Sequence, residues 1–234
     1  MTTTDREKRL LLIGASRGLG LAIAEEYAGL GWRVLATARA AAGTPLHDLA
    51  ARTKGRIEIE TVDIARPDEV SGLRRRLASD RFDLLLVNAG VKNDDAETIA
   101  DVSTEEFVRV MVTNALSPMR VVETLQDLVS PSGVIAIMSS GQGSVGNNEN
   151  GGYEVYRASK AALNTLMRSY AARHRDDRRT LLLLAPGWVR TDMGGPNARL
   201  SVEESIPNLV RTIEGQRGKT GLQYLDYLGR TVPW

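Results

Sequence analysis

The chain has 234 residues, and its 30 basic and 29 acidic side chains leave a formal net charge of +1. Because neither sign forms a long run, the charges give no reason to expect a nucleic-acid or membrane partner. The absence of cysteine excludes disulfides, thiolate nucleophiles and cysteine zinc sites. The two histidines, His47 and His174, lie far apart in sequence, so no metal site is expected.

The length and the start of the chain indicate its organisation. An α/β domain commonly has this length, so one domain over residues 1–234 is expected. Met1 to Arg9 is polar and charged, and the apolar run from Leu10 to Ile13 is too short for the core of a signal peptide. A cytoplasmic location is therefore expected.

Short apolar runs alternate with longer segments of helical periodicity. Six runs predict strands: Leu10 to Ile13, Val34 to Ala36, Ile57 to Val62, Leu84 to Val87, Val134 to Met138 and Leu181 to Ala185. Runs that are apolar nearly throughout are typical of strands buried on both faces of a parallel sheet. A last strand is expected near Leu222 to Asp226.

The intervening segments predict helices: Leu19 to Leu30, Pro45 to Arg52, Pro67 to Ser79, Thr104 to Val129 with a break near Pro118, Tyr153 to His174, and Val202 to Glu214. Repeated strand and helix units of this length predict an α/β fold, a doubly wound and mostly parallel sheet of about seven strands with helices on both faces. Ligands bind such sheets beyond the carboxyl ends of the strands, so the loops there are the candidate site.

The first predicted strand continues into a glycine-rich turn, Gly14 to Gly20, which opens the first helix. Glycine lets the backbone approach phosphates closely, and the helix N-terminus offsets their charge. The spacing Gly-x3-Gly-x-Gly differs from the common Gly-x-Gly-x-x-Gly fingerprint. Its place after the first strand nevertheless favours a pyrophosphate site.

The same turn contains Gly14-x-Ser16-x-Gly18, the nucleophile-elbow pattern of α/β-hydrolases, which is a competing interpretation. A hydrolase triad usually places its histidine after the last strand. No histidine follows His174, so the hydrolase interpretation is disfavoured.

Tyr156 and Lys160 are four residues apart in a predicted helix, and therefore lie on one face. Proton exchange by tyrosine near neutral pH requires about 4 kcal/mol of phenolate stabilisation. A neighbouring ammonium and an oxidised nicotinamide would supply positive charge for this purpose. Tyr153 is a rival tyrosine, but the residue four positions after it is Arg157, which stays protonated and has a different geometry.

These features occur together in an order that resembles the classical short-chain dehydrogenase/reductase family, over almost the whole chain. The matching segments are Gly14 to Gly20, Asn88-Ala89-Gly90, Asn114, Ser139-Ser140, Tyr156-x3-Lys160 and Pro186 to Asp192. A narrower resemblance, to the C-factor-like, carbonyl-reductase-like branch, is carried by Gly151-Gly152-Tyr153, Gly187 to Pro196, and the segment from Leu225-Asp226-Tyr227 through Pro233-Trp234.

The resemblance implies a catalytic role for each of four residues. Tyr156 would be the acid/base, and Lys160 would lower its pKa and hold the ribose. Ser140 would hydrogen-bond the substrate oxygen, and Asn114 would hold a water that links Lys160 to solvent. Two alternatives remain open: Asn114 could cap a helix break, and the role of Ser140 could belong to Ser139 or Ser144.

The resemblance also implies a set of cofactor-binding residues: Gly14, Ser16, Arg17, Gly18, Leu19, Gly20, Arg39, Asp63, Ile64, Asn88, Ala89, Gly90, Tyr156, Lys160, Pro186, Gly187, Val189 and Thr191. An NAD site normally places an acidic residue after the second strand, where it would repel a 2′-phosphate. No acidic residue lies between Glu26 and Asp48, and Arg39 occupies this region. Arg39 and Arg17 together predict a preference for NADP(H) over NAD(H).

The chain departs from the family pattern at two positions: Ile13 stands where threonine is usual, and Val87 stands where asparagine is usual. Both changes concern hydrogen bonds of the scaffold. The interval from Ser140 to Tyr156 is also longer than usual. The expected function is an NADP(H)-dependent carbonyl reductase or alcohol dehydrogenase acting on a small molecule. The alternative is a nucleotide-binding regulatory or signalling protein with little turnover. Because the helix Tyr153 to His174 is apolar on more than one face, it suggests a homodimer or homotetramer, as the resemblance also does.

Overall fold

The computed structural model describes residues 7–234, which contain one parallel sheet of seven strands. The strands are β1 Arg9–Ile13, β2 Arg33–Ala38, β3 Ile57–Thr61, β4 Phe82–Val87, β5 Val129–Met138, β6 Thr180–Ala185 and β7 Gly221–Asp226. Their order is β3-β2-β1-β4-β5-β6-β7, so the winding direction reverses between β1 and β4. This reversal confirms the predicted doubly wound sheet, and ligands bind such sheets at this switch point.

Seven α-helices connect the strands: α1 Gly18–Gly29, α2 Pro45–Arg52, α3 Pro67–Arg76, α4 Thr104–Met111, α5 Ser117–Leu125, α6 Glu154–Arg173 and α7 Val202–Gln216. A π-helical turn, Val112–Leu116, joins α4 to α5. Short 3₁₀ turns occupy Gln126–Leu128 and Gly141–Gly143. Within residues 7–234, no helix is both long enough and apolar enough to cross a bilayer.

Helices cover both faces of the sheet because alternate residues of each central strand point to opposite sides. Leu11 and Ile13 of β1 pack into the core beneath α3, α5 and α6. Leu10 and Leu12 pack into the core beneath α1, α2 and α7. All four side chains are at most 1% exposed. An apolar run such as β1 therefore supplies two cores at once.

Strand β3 differs from the prediction of a strand that is apolar throughout. Ile57 is buried, whereas Glu58 and Thr61 are exposed. The reason is its position at the edge of the sheet, where it pairs only with β2. An edge strand meets water, and charged side chains there discourage pairing with another chain.

The predicted helix from Thr104 to Val129 is interrupted just before the predicted break near Pro118, and it ends earlier than predicted. The interruption is the π turn Val112–Leu116, and Pro118 lies in the first turn of α5, directly after it. The helix ends at Leu125, and Val129 already begins β5, pairing with Phe82. Apolar periodicity continued through this boundary and masked it.

Candidate active site

The glycine-rich turn is fixed to the strands on either side of it. The Gly14 amide donates to Thr37 Oγ1 of β2 over 2.9 Å, and Asn88 Nδ2, after β4, donates to the Gly14 carbonyl over 2.7 Å. A Cβ on Gly14 would lie 2.7 Å from Ala89, and one on Gly20 would lie 2.1 Å from the Gly14 carbonyl oxygen. Glycine is therefore required at both positions by the close approach of the loops after β1 and β4.

The N-terminus of α1 is left without a protein cap. Its N-cap residue, Arg17, makes no side-chain capping hydrogen bond, and the first turn contains no acidic residue. By contrast, Ser103 and Ser201 cap α4 and α7, and acidic residues follow each of them. The N–H groups and positive end of α1 thus remain available to an anion, as a dinucleotide pyrophosphate requires.

Helix α6 places Tyr156 and Lys160 one turn apart on the side that faces the end of β5. The Lys160 ammonium lies 5.9 Å from the centroid of the Tyr156 ring. It donates to the Met138 carbonyl, at the end of β5, over 2.9 Å. Lys160 is only 3% exposed. Burial disfavours the charged ammonium and lowers the pKa of Lys160 to about 8.

Tyr156 holds its proton firmly in the chain alone. Although part of its ring is exposed, desolvation raises the pKa of Tyr156 to about 12, against an opposing hydrogen-bonding interaction with Ser140. The resemblance implied instead that Lys160 lowers the pKa of Tyr156. The phenol is therefore a protonated acid at neutral pH, and the lowering of its pKa stays a prediction for the cofactor-bound protein.

Three serines after β5 have different surroundings. Ser139 is buried, and its hydroxyl donates to Asn164 Oδ1 over 2.6 Å. The Ser144 hydroxyl accepts from the Asn147 amide over 3.1 Å within the following loop. The Ser140 hydroxyl accepts from the Gln142 amide over 3.1 Å and interacts with the Tyr156 phenol. These contacts favour Ser140 among the three as the partner of Tyr156.

Asn114 lies in the π turn between α4 and α5, and its side chain hydrogen-bonds both the loop after β4 and α6. Its Oδ1 accepts from the Val91 amide over 2.8 Å, and its Nδ2 donates to the Val91 carbonyl over 2.7 Å. Nδ2 also donates over 2.9 Å to the Ser159 hydroxyl, which in turn donates to the Tyr156 carbonyl over 2.7 Å. Asn114 therefore links the loop after β4 to the turn of α6 that carries Tyr156.

The loop after β6 reaches the glycine-rich turn. Thr191 lies beside Gly18, where an added Cβ would be 3.7 Å from Thr191 Cγ2. Arg17 forms an ion pair with Asp192 across 3.3 Å, and both side chains are largely exposed. Gly187 has φ +84°, and a Cβ there would lie 2.5 Å from Leu200 Cδ1. A turn of this shape requires glycine.

Four further residues of the expected cofactor set follow the carboxyl ends of β3 and β6. The Pro186 carbonyl accepts from the Ser205 hydroxyl over 2.7 Å, and Val189 is 4% exposed. Asp63 follows β3 and accepts from the Ala65 amide over 2.9 Å through Oδ1. Ile64 beside it is buried, at 5% exposure. The Pro186 backbone and the Asp63 side chain are thus hydrogen-bonded within the protein, and Val189 and Ile64 are buried.

The two expected phosphate-binding arginines are not joined by a contact. Arg39 is exposed just after β2, and among residues 7–234 it has no ion-pair partner. Arg17 instead pairs with Asp192. Because an exposed ion pair is worth at most about 1 kcal/mol, a phosphate can displace Asp192 from Arg17.

Sequence patterns did not identify three supporting residues: Thr37, Ser159 and Asn164. Each hydrogen-bonds a residue more than 20 positions away, so no local spacing could have indicated the contact. The two histidines are structural. His47 completes the capping box of α2, and His174 stacks on Tyr170 at the end of α6.

The fold and this arrangement are those of a class of oxidoreductases: a parallel sheet with a glycine-rich turn after β1, and a tyrosine one helical turn from a buried lysine. A model of the short chain dehydrogenase family matches residues 8–199. The chain belongs to that family.

Named relatives and solved structures agree with this assignment. C-signal from Myxococcus xanthus is 37% identical over 154 residues, which are 65% of this chain and 92% of that protein. A short-chain dehydrogenase/reductase from Burkholderia multivorans, crystallised with bound NADP, is 56% identical with a TM-score of 0.95, over 97% of this chain and 100% of that chain. A carbonyl reductase from Pseudomonas aeruginosa PAO1, in complex with NADP, is 38% identical with a TM-score of 0.90, over the same shares.

Proposed function

We propose that this protein is an NADP(H)-dependent carbonyl reductase or alcohol dehydrogenase with Tyr156 as its acid/base. The observation that carries the proposal is the position of Tyr156, whose phenol interacts with the Ser140 hydroxyl one helical turn from the buried Lys160. The uncapped N-terminus of α1, which is suited to a pyrophosphate, follows β1 at the same carboxyl edge of the sheet as the end of β5. A small-molecule carbonyl or alcohol is the proposed substrate, and a cytoplasmic location stays a prediction.

Residues of this chain fit the cofactor on both sides of the cleft. The glycine-rich turn and the N-terminus of α1 would hold the pyrophosphate. Arg39, exposed after β2 and without an acidic neighbour there, would take the 2′-phosphate together with Arg17. The NADP bound by the two solved relatives supports this assignment. When bound, the nicotinamide supplies or accepts the hydride of the reaction.

Ser140 and Tyr156 would act on the substrate oxygen. The Ser140 hydroxyl orients and polarises a carbonyl, and the Tyr156 hydroxyl donates the proton that neutralises the developing alkoxide. In the reverse direction, the Tyr156 phenolate removes the proton of an alcohol. The phenol of the chain alone has the protonation state that carbonyl reduction requires, because its pKa is about 12.

Lys160 and Asn114 would support this proton transfer. Protonated Lys160, whose pKa lies near 8, would stabilise a Tyr156 phenolate across the cofactor ribose and would bind the ribose hydroxyls. Asn114 retains one lone pair on Oδ1 beyond its bond from Val91. That lone pair could accept from a relay water beside Lys160.

The test is turnover by the wild-type chain. Purified protein is mixed with NADPH and a panel of aldehydes and ketones, and oxidation of the cofactor is followed by absorbance. We expect substrate-dependent oxidation of NADPH by members of the panel and slower reaction with NADH. Tight NADPH binding with no turnover on the panel would contradict the enzyme and favour a regulatory role.

That second function has one observation in its favour. Two of the similar proteins carry the names C-signal and Protein FixR, the second being 32% identical over 206 residues. Neither name describes an enzymatic reaction. Because Ser140, Tyr156 and Lys160 are all present in this chain, the reductase is the preferred proposal.

A further inference from the structure

Tyr224, on the edge strand β7, lies against the turn that carries Ser140. Its side chain is 2% exposed. Its hydroxyl donates a hydrogen bond to the main-chain oxygen of Ser140, 84 positions earlier in the sequence. A buried phenol aimed at the backbone of a proposed catalytic residue is in a position to control where that residue points.

The turn around Ser140 is fixed at several points close to this phenol. Burial raises the pKa of Tyr224, and hydrogen bonding to the side chains of Asn164 and Ser139 opposes part of that rise. Asn164 accepts from the Ser139 hydroxyl over 2.6 Å and donates to the Gly143 carbonyl over 3.1 Å. The Ser139 side chain before Ser140 and the Gly143 backbone after it are therefore both bound to Asn164.

Tyr224 is in turn held by the segment that follows β7. The chain reverses after Asp226, and the Val232 amide returns to donate to the Tyr224 carbonyl over 2.9 Å. The ring of Trp234 lies 5.4 Å from the Tyr224 ring. The Gly146 amide donates to the main-chain oxygen of Trp234 over 3.0 Å. The same segment thus contacts Tyr224 and the loop beyond Ser140.

We propose that Tyr224 is a positioning residue that acts through Ser140. Its hydroxyl holds the Ser140 main chain so that the Ser140 hydroxyl faces the Tyr156 phenol and the substrate oxygen. This inference rests on the proposed reductase function. It adds that β7 and residues 227–234, which carry none of the proposed catalytic side chains, set the geometry of proton transfer.

The first test is Tyr224→Phe, which removes the hydroxyl and keeps the ring. Loss of one aligning hydrogen bond is expected to lower kcat for carbonyl reduction about tenfold. The Kd for NADPH should stay within about twofold, because the Tyr224 hydroxyl binds the turn after β5 and not the proposed pyrophosphate site. Tyr170→Phe is the matched control. Tyr170 is a buried residue of α6 whose hydroxyl donates to Gln126 Oε1 over 2.5 Å. Loss of this hydroxyl should leave kcat unchanged.

The second test separates positioning from a general loss of stability. In a Ser140→Ala background, Tyr224→Phe is expected to lower kcat by less than about twofold, since the group it positions is gone. An equal fold loss in both backgrounds would overturn the proposal, as would wild-type kcat in the single variant. If Tyr224→Phe does not fold, Trp234→Leu, which loosens the packing on Tyr224, must show the same dependence on Ser140.

These outcomes are distinguishable from failure of the proposed function. An active wild-type chain whose kcat is indifferent to Tyr224→Phe rejects the positioning role and leaves the reductase intact. A wild-type chain without turnover rejects both.

Discussion

At the scale of single residues, burial displaces the two proposed proton-handling groups in opposite directions. Removal from water penalises both a phenolate and an ammonium, so the pKa of Tyr156 rises to about 12 and that of Lys160 falls to about 8. At neutral pH the first group is firmly protonated, and the second is close to losing its proton. An acid is therefore ready before substrate binds, while Lys160 is kept charged at a cost in stability.

That cost predicts that Lys160→Met stabilises the chain without cofactor at pH 7. Displacement of the Lys160 pKa from its ordinary ~10.4 to about 8 corresponds to roughly 3 kcal/mol. The variant also loses the hydrogen bond to the Met138 carbonyl, which costs about 1 kcal/mol. The free energy of unfolding should therefore rise by roughly 2 kcal/mol. Urea unfolding measures the free energy, and kcat and cofactor affinity should both fall.

The pH dependence of that gain has a definite sign. The penalty on wild type is full below pH 8, where folding holds a charged ammonium in a buried site. It shrinks as pH rises from about 8 to 10.4, because the folded chain has lost the proton that the unfolded chain still binds. A gain from Lys160→Met that grows over this range would contradict the assigned pKa.

Arg39→Ala is predicted to weaken NADPH binding selectively. A charge-assisted hydrogen bond to the 2′-phosphate is typically worth ~1.5–3 kcal/mol, so the Kd for NADPH should rise at least about tenfold. The Kd for NADH should change little. Arg52→Ala, an exposed arginine at the end of α2, is the matched control. Equal losses for both cofactors in Arg39→Ala would remove Arg39 from the 2′-phosphate site.

Individual site residues differed in how far they could be predicted. Tyr156 and Lys160 share a helical face, and the glycines share a turn, so local spacing indicates both. Thr37 and Tyr224 act through contacts 23 and 84 positions away. Such contacts depend on strand order and register, which no local pattern specifies.

At the scale of elements, the start of α1 has the most demanding geometry. Gly20→Ala should destabilise the chain and reduce NADPH affinity more than tenfold, because its Cβ would lie 2.1 Å from the Gly14 carbonyl oxygen. Gly29→Ala, in the same helix with no atom within 4 Å of the added Cβ, should be neutral or stabilise by up to about 1 kcal/mol. Thermal unfolding and cofactor titration compare the pair. Similar effects of the two substitutions would contradict the close approach.

The starts of helices were predictable where the sequence contains N-terminal capping residues. Pro45 and the Thr44 capping box begin α2, and both ends of this helix agree with the prediction. Ser201 and Glu204 mark the start of α7 in the same way. Leu125 is not followed by a glycine that would end the helix, and Leu128 and Val129 suit both a helix and a strand. Tertiary pairing of Val129 with Phe82 decides that boundary.

At the scale of the whole molecule, an apolar surface remains open between the π turn and α6. It consists of Met111, Val112, Ala115, Leu116, Ala162, Thr165 and Leu166. Leu116 and Leu166 are 39% and 40% exposed. We propose that a second copy of the chain covers this surface, in a dimer or a tetramer.

Light scattering tests the assembly. Wild type should have the mass of a dimer or tetramer, and Leu166→Asp combined with Leu116→Asp should shift it toward monomer. Leu30→Asp, at a separate site that is 56% exposed, is the control and should leave the mass unchanged. A monomeric wild type at micromolar concentration would exclude the assembly.

Alternating apolar runs and helical segments suffice to predict a doubly wound sheet and the edge at which ligands bind. The return of residues 227–234 along β7 was not predictable. It depends on the turn in which Asp226 Oδ1 accepts from the amides of Leu228 and Arg230, and on contacts with a distant loop. The position of residues 227–234 beside β7 and the loop after β5 could therefore be found only from the structure.

The central claim is that Tyr156 donates the proton, and Tyr156→Phe tests it most directly. The substitution keeps the ring and removes the acid, so kcat for reduction by NADPH should fall at least ~100-fold. The Kd for NADPH should change by less than about threefold. This combination is the result we predict; turnover near that of wild type, with cofactor binding intact, would contradict the claim.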